Sequence, residues 1–158
     1  MTDLTMTRLH EIMVILQAIS LVFYFIDYLQ KDQRAHRLAV WLLFAVGTLQ
    51  TIFLVMYMVE MKRFPILSLF EGIYFYAWLI IMLSLVLQLV FRLDLPAFFM
   101  NLIGFIFMTI HTFAPNPMSQ SLVGDNLKSE LLFIHIMFGL LAYTAFALSF
   151  VFSTLYLI

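Results

Sequence analysis

The last acidic or basic side chain of the sequence is Glu130, and the run from there to Ile158 contains no further aspartate, glutamate, lysine or arginine. As an α-helix that rises about 1.5 Å per residue, this run would be roughly 43 Å long. The hydrocarbon core of a bilayer is about 30 Å thick. We therefore predict that the run spans a membrane, and this restricts the rest of the chain to folds that a bilayer permits.

Composition agrees with that prediction and excludes several classes of function. Hydrophobic residues make up 65% of the 158 residues and charged residues 11%, whereas about a quarter of a soluble domain is charged. The net charge of −1 leaves no basic face for a nucleic acid. The sequence contains no cysteine, which excludes disulfides, thiolate metal sites and a cysteine nucleophile. Walker A and GxGxxG motifs are absent, and no serine–histidine–aspartate pattern has supporting motifs.

Four earlier segments repeat the apolar character of the last one and are separated by short polar stretches. Ser68, followed three residues later by Glu71, has the pattern of a capping box at the start of the third segment. Pro96 suits the first turn of the fourth. We predict an all-α, polytopic transmembrane helical bundle that forms one domain. Its spans are expected at about 8–29, 38–60, 68–91, 96–114 and 130–158.

Basic residues predict the orientation of the bundle. Lys31, Arg34 and Arg37 crowd the first loop, which the positive-inside rule places in the cytoplasm. The N-terminus is then outside. The polar loop 112–129, with Pro115 and Gly124, is external in the same topology.

Polar residues of the first span recur at intervals of three, four or seven, at His10, Gln17, Ser20, Tyr24 and Asp27. These intervals place them on one side of a helix. Because polar side chains are costly against lipid, we expect this face to point into the bundle.

The histidines are the candidates for ligand chemistry. The predicted topology places His10, His111 and His135 at one membrane surface and His36 at the other. Neutral imidazole can bind zinc, copper or haem iron, but the close histidine pairs of zinc sites are missing. Haem needs one or two axial histidines and an apolar slot with aromatic and small residues, which matches this inventory better.

Two features around these histidines each allow two interpretations. The residues that follow His135 at helical spacing are mostly small, which suits either a helix-packing seam or close approach of a flat ligand: Gly139, Ala142, Phe146, Ser149 and Ser153. Five aromatic residues lie between Phe70 and Trp78. They suit either an interfacial aromatic belt or the wall of a pocket for a planar ligand.

Two stretches resemble the CcsA/ResC family of cytochrome c assembly proteins. Residues 64–72, FPILSLFEG, resemble that family's FPLSNLYESL segment, and Trp78 falls where the family reads LSW. Residues 134–143, IHIMFGLLAY, look like its HVSMMMLSYA helix. The whole chain is more similar still to the N-terminal part of the HemX-like branch, through LTMTRLHEIM, RFP, FEGIYFYAW and IHTFAP.

This resemblance implies a haem-binding or haem-handling protein of the cell membrane that supports cytochrome c assembly. His135 would be the metal ligand, His111 a second candidate, and Glu71 with Trp78 would shape the pocket. Haem, apocytochrome c and another cytochrome c assembly membrane protein would be the partners. The family's WGSYWSWDPKE segment is missing, which implies the N-terminal part of a longer protein. The chain would present haem without being an enzyme by itself.

Two alternatives belong to other classes of function. The HemX-like branch also implies a regulatory membrane protein that lowers the level of glutamyl-tRNA reductase, with a partner contact at the basic residues from Lys31 to Arg37. A third hypothesis, half of a transporter, would use the midspan residues Thr48 and Gln50.

Overall fold

The computed structural model describes residues 2–114 and 130–158, which form five α-helices and no strand. The helices are α1 Thr2–Gln30, α2 Gln33–Met61, α3 Leu69–Leu89, α4 Asp94–Phe113 and α5 Glu130–Leu157. Each is long and apolar enough to cross a membrane. The predicted all-α fold with five spans is therefore confirmed. Most of the predicted loop 112–129, including Pro115 and Gly124, lies outside the described residues.

Local sequence explains where the helices begin. The side chain of Asp32 accepts a hydrogen bond from Arg34 N at 2.9 Å, so α2 begins immediately after a two-residue turn and five residues before the predicted span. Lys31 in this turn has φ 51°, a left-handed conformation that reverses the chain. Ser68 and Glu71 form the expected capping box at the start of α3.

The first four helices form a closed ring. α1 packs against α2, α2 against α3, α3 against α4, and α4 returns to α1. Helix α5 lies outside this ring against α3 and α4. Its only buried side chains are Thr144 and Val151, and Tyr76 of α3 donates a hydrogen bond to Tyr143 O at 3.2 Å. The bundle is thus a four-helix ring with a fifth helix attached to one side.

Because successive helices alternate in direction, the bundle has two ends. The starts of α1, α3 and α5 and the ends of α2 and α4 form the end that we call the His10 surface. The opposite end, with the α1–α2 turn and the α3–α4 turn, is the His36 surface. Histidines 10 and 111 lie at the former, as the sequence predicts.

Helices α3 and α4 approach each other closely at Gly104. A Cβ atom added there would lie 2.7 Å from Ile81 Cδ1, and Ile81 is fully buried. Gly139 of α5, in contrast, has no heavy atom within 4 Å of an added Cβ. The close packing of the ring therefore leaves no room for a side chain at Gly104, whereas a side chain at Gly139 would meet open space.

We predict that Gly104→Val lowers the free energy of unfolding by about 1–3 kcal/mol, the usual cost of overpacking a core. Gly139→Val has the same change in helix propensity, so its smaller effect isolates the packing contribution. Thermal unfolding in detergent, followed by circular dichroism, measures both. Equal losses of stability in the two variants would contradict the close α3–α4 contact.

Candidate functional site

The four predicted site residues do not surround one common pocket. His111 and Glu71 line a cavity of about 50 Å³ at the His10 surface. Trp78 lies outside that lining, and its Nε1 donates to Thr51 Oγ1 at 2.9 Å, between α3 and α2. His135 is exposed on α5. The structure thus brings two of the four together.

His111 has a partner that the sequence did not identify. The ring centroids of His111 and His10 are 4.9 Å apart, and the two residues are 4% and 8% exposed. The Phe70 ring is tilted by 32° to the His111 ring, with centroids 3.9 Å apart, and Phe53 meets the His10 ring edge-on with centroids 4.4 Å apart. A common height in the membrane was the only sequence signal for this pair, because pairing depends on how α1 and α4 pack.

The hydrogen bonds of this pair determine what its nitrogen atoms can do. His10 Nδ1 lies 2.7 Å from Met6 O. A carbonyl oxygen can only accept, so Nδ1 carries the hydrogen and Nε2 of the neutral ring is a free acceptor. His10 Nε2 and His111 Nδ1 are both buried without a protein partner. The His10 surface therefore contains two imidazole nitrogens that the described residues leave unsatisfied.

The buried carboxylate of Glu71 links α2 to α3 through hydrogen bonds. Its carboxylate accepts from both Arg63 Nη atoms, at 2.7 and 3.0 Å, and from the hydroxyl of Tyr57 at 2.7 Å. The backbone N–H groups of Leu67 and Ser68 donate to it at 3.1 and 3.3 Å. The hydrogen bond to this carboxylate also raises the pKa of Arg63 above its ordinary value. Because these donors already bind its carboxylate, Glu71 is better suited to join α2 to α3 than to bind a ligand.

We predict that Glu71→Gln lowers the free energy of unfolding by about 2 kcal/mol, less than the roughly 3–5 kcal/mol of a fully buried pair because Arg63 is partly exposed. The matched control is Glu11→Gln, which breaks the exposed pair with Arg8, at 3.5 Å, and should change stability by less than about 0.5 kcal/mol. Thermal or denaturant unfolding in detergent gives both values. A loss at Glu71 no larger than at Glu11 would contradict the structural role.

His36 belongs to a second polar cluster at the opposite surface. Its Nδ1 lies 2.9 Å from Asp27 Oδ2. Gln88 Nε2 donates to Asp94 Oδ1 at 2.7 Å, and Tyr24 donates to Gln88 Oε1 at 3.2 Å. No partner for His36 was predicted from the sequence. The signal for its partner was the position of Asp27 at the end of the polar face of α1, just before the turn.

A larger cavity of about 470 Å³ lies beside this cluster. Its wall combines the carboxylates of Asp27 and Asp94 with Lys31 and aromatic side chains of α1 and α4. This cavity could not be predicted from the sequence, because its wall is assembled from residues far apart in the chain.

Neither the small cavity nor the predicted residues form a haem pocket within the described part of the chain. A space of about 50 Å³ holds one or two water molecules and not a macrocycle. The described residues contain no group of three potential metal ligands. His135 stands on an open side of α5, where Ala142, Ser149 and Ser153 are also exposed. Its small-residue seam therefore packs against none of the described helices, and its role as a ligand stays a prediction.

Two known proteins are similar to this chain over nearly its whole length. Protein HemX of Bacillus subtilis (strain 168) is 48% identical over 157 residues, which are 99% of this chain and 57% of that protein. Protein HemX of Brevibacillus brevis is 39% identical over 150 residues, 95% of this chain and 55% of that protein. The chain thus spans a little over half the length of these relatives.

No family model matches the sequence, and no solved structure matches it. These comparisons therefore give no support to the predicted link to the CcsA/ResC proteins. They do support the predicted resemblance to the HemX-like branch. Five helices of membrane-span character indicate a multi-pass membrane protein. Over nearly its whole length, this membrane protein is similar to two proteins named HemX.

Proposed function

We propose that this chain belongs to a regulatory membrane protein of haem biosynthesis that lowers the level of glutamyl-tRNA reductase. The observation that carries the proposal is the 48% and 39% identity to two proteins named HemX. This function ranks above haem presentation because the comparisons support the resemblance to HemX. They give no support to a link with the cytochrome c assembly proteins. The chain spans part of those relatives, so the activity of the whole protein is part of the proposal.

The His36 surface supports the proposal, because it presents a group of cations to the aqueous phase. Its exposed basic residues are Lys31, Arg34, Arg37 and Arg92. Under the positive-inside rule this surface of the cell membrane faces the cytoplasm, where an enzyme that uses aminoacyl-tRNA is found. The two-residue turn capped by Asp32 fixes the backbone from which Lys31 and Arg34 project. Such a patch can attract and orient an acidic surface of a soluble protein.

A double substitution tests the patch directly. In a bacterium that lacks its own HemX, expression of this chain should lower the amount of glutamyl-tRNA reductase, measured by immunoblot. Arg34→Ala with Arg37→Ala should restore the enzyme level, because the patch loses two of its cations. Both residues are exposed, so the bundle should still assemble.

The matched control removes two exposed cations from the other end of the bundle, by Arg8→Ala with Lys62→Ala. It should lower the enzyme as the unchanged chain does. All variants are compared at equal amounts in the membrane fraction. An unchanged enzyme level on expression of the chain would refute the proposed function, and equal restoration by both double variants would refute the role of the patch.

Haem handling is the second candidate, and the position of His135 favours it. The imidazole is exposed, and Gly139, one turn further along α5, has open space around its Cα. An axial ligand needs such an open approach. A second ligand and the walls of a pocket would have to come from outside the described residues. Apocytochrome c and another assembly protein would then be the recipients.

Absorption spectra test this candidate. If the purified chain binds haem through His135, it should show a Soret band in its reduced and oxidised forms, and His135→Ala should diminish that band. His36→Ala is the control, since its ring bonds to Asp27 at the opposite surface. A chain without a Soret band after incubation with haem, or equal losses in the two variants, would count against His135 as a ligand.

A further inference from the structure

Polar side chains run through the interior of the four-helix ring from one surface to the other. We call this set the polar ladder; its members are His10, Gln17, Ser20, Tyr24, Asp27, His36, Gln50, Gln88, Asn101 and His111. Along α1, the 17 positions from His10 to Asp27 correspond to about 26 Å. This distance approaches the roughly 30 Å thickness of the hydrocarbon core.

The middle of the polar ladder is hydrogen-bonded between three helices. Gln17 Nε2 donates to Asn101 Oδ1 at 3.1 Å, and Asn101 Nδ2 donates to Ser20 Oγ at 3.4 Å. Ser20 in turn donates to Ala39 O at 3.0 Å. Gln17, Ser20 and Asn101 are all 0% exposed. Amide and hydroxyl groups at this depth commonly join membrane helices by hydrogen bonds, and they can also position water along a path for ions or protons.

The half of the polar ladder toward the His36 surface contains groups that can exchange protons. Tyr24 bonds to Gln88, whose Nε2 lies 3.4 Å from His36 Nε2. His36 bonds through its other nitrogen to Asp27. Asp94 completes the cluster and is 58% exposed at its side chain, so this end of the polar ladder meets water.

The other half contains polar atoms that the protein leaves unsatisfied. Five buried side-chain atoms in the described residues have no protein partner: His10 Nε2, His111 Nδ1, Gln17 Oε1 and both amide atoms of Gln50. An orphaned buried group costs about 1–3 kcal/mol. Five of them would cost a large part of the about 5–15 kcal/mol that stabilises a typical protein. Internal water molecules are the usual partners of such groups.

We propose that water molecules complete the polar ladder and that it conducts protons across the membrane. A proton enters at the cavity between His10 and His111 and passes between waters, hydroxyls and imidazoles. Each carrier releases one proton as it accepts another, so no group is consumed and no covalent product forms. The proton leaves through the exposed His36–Asp94 cluster. The transmembrane proton gradient is the driving force.

The amides of the polar ladder have a positioning role in this path. Gln17 and Gln50 hold water molecules by hydrogen bonds and do not themselves carry the proton. Two gaps along α1 interrupt the polar ladder: seven residues, about 10 Å along the axis, separate His10 from Gln17, and four residues, about 6 Å, separate Ser20 from Tyr24. The proposal requires bridging waters in both gaps. If the polar ladder only fixed the pairing of the helices, the same residues would be required but no protons would cross.

Proton flux into liposomes separates these two roles. The purified chain is placed in vesicles that contain a pH-sensitive dye, with valinomycin and potassium to balance charge. A pH gradient should decay faster than in protein-free vesicles. Gln17→Leu and Gln50→Leu should each return the decay to the protein-free rate, because leucine displaces water from the path.

Thr48→Val is the matched control and should conduct as the unchanged chain does. Thr48 was paired with Gln50 in the transporter hypothesis, but the structure places it outside the ring interior, where it is exposed and bonds to Phe44 O of its own helix. Helix content and thermal unfolding verify that each variant is folded. Ser20→Ala is the smaller substitution to use if a leucine variant does not fold, and it should also slow the flux. A decay no faster than in protein-free vesicles, or leucine variants that conduct as the unchanged chain does, would overturn the proposal.

Discussion

The hydrocarbon core of a bilayer offers no hydrogen-bond partners, so a polar group at its centre needs one from the protein or from an internal water molecule. The closed ring of α1 to α4 meets this requirement by covering the polar face of α1. Gln17 shows how strongly the fold depends on that cover. Its amide reaches Asn101 on α4, and the absence of a side chain at Gly104 leaves room beside it, with Gln17 Nε2 only 3.4 Å from where a Cβ would lie. Helix packing and polar pairing therefore determine each other.

The two ends of the ring differ in the kind of polar group that they contain. At the His10 surface, the Glu71–Arg63 joint ties α2 to α3 and so holds Phe70 in place beside His111. At the His36 surface, no arginine among the described residues is paired with a buried carboxylate in this way, and the cluster around His36 is open to water. The first end is braced by the Glu71–Arg63 ion pair, whereas the polar cluster of the second is open to water.

Local sequence predicted the features that depend on neighbours in the chain. The capping box of Ser68 and Glu71 and the inward polar face of α1 follow from spacing alone, and both are present. The remaining contacts depend on how the helices pack against one another. Arg63 could not be assigned to Glu71, nor His10 to His111, without knowing how the helices pack. The early start of α2 was missed because the apolar pattern begins later than the cap at Asp32, which is what starts the helix.

The loose attachment of α5 bears on how the chain is assembled during synthesis. The ring of α1 to α4 closes through its own contacts, and α5 contributes only two fully buried side chains, Thr144 and Val151, while its other contacts with the ring are partly buried. The first four helices emerge from the ribosome before α5 and already contain the groups that bond to one another in the ring, such as Gln17 with Asn101; Tyr76, which donates to Tyr143 O of α5, is an exception. The ring can therefore form in the membrane while α5 is still being made. Insertion of α5 is then a separate, later event that adds a surface to a finished bundle.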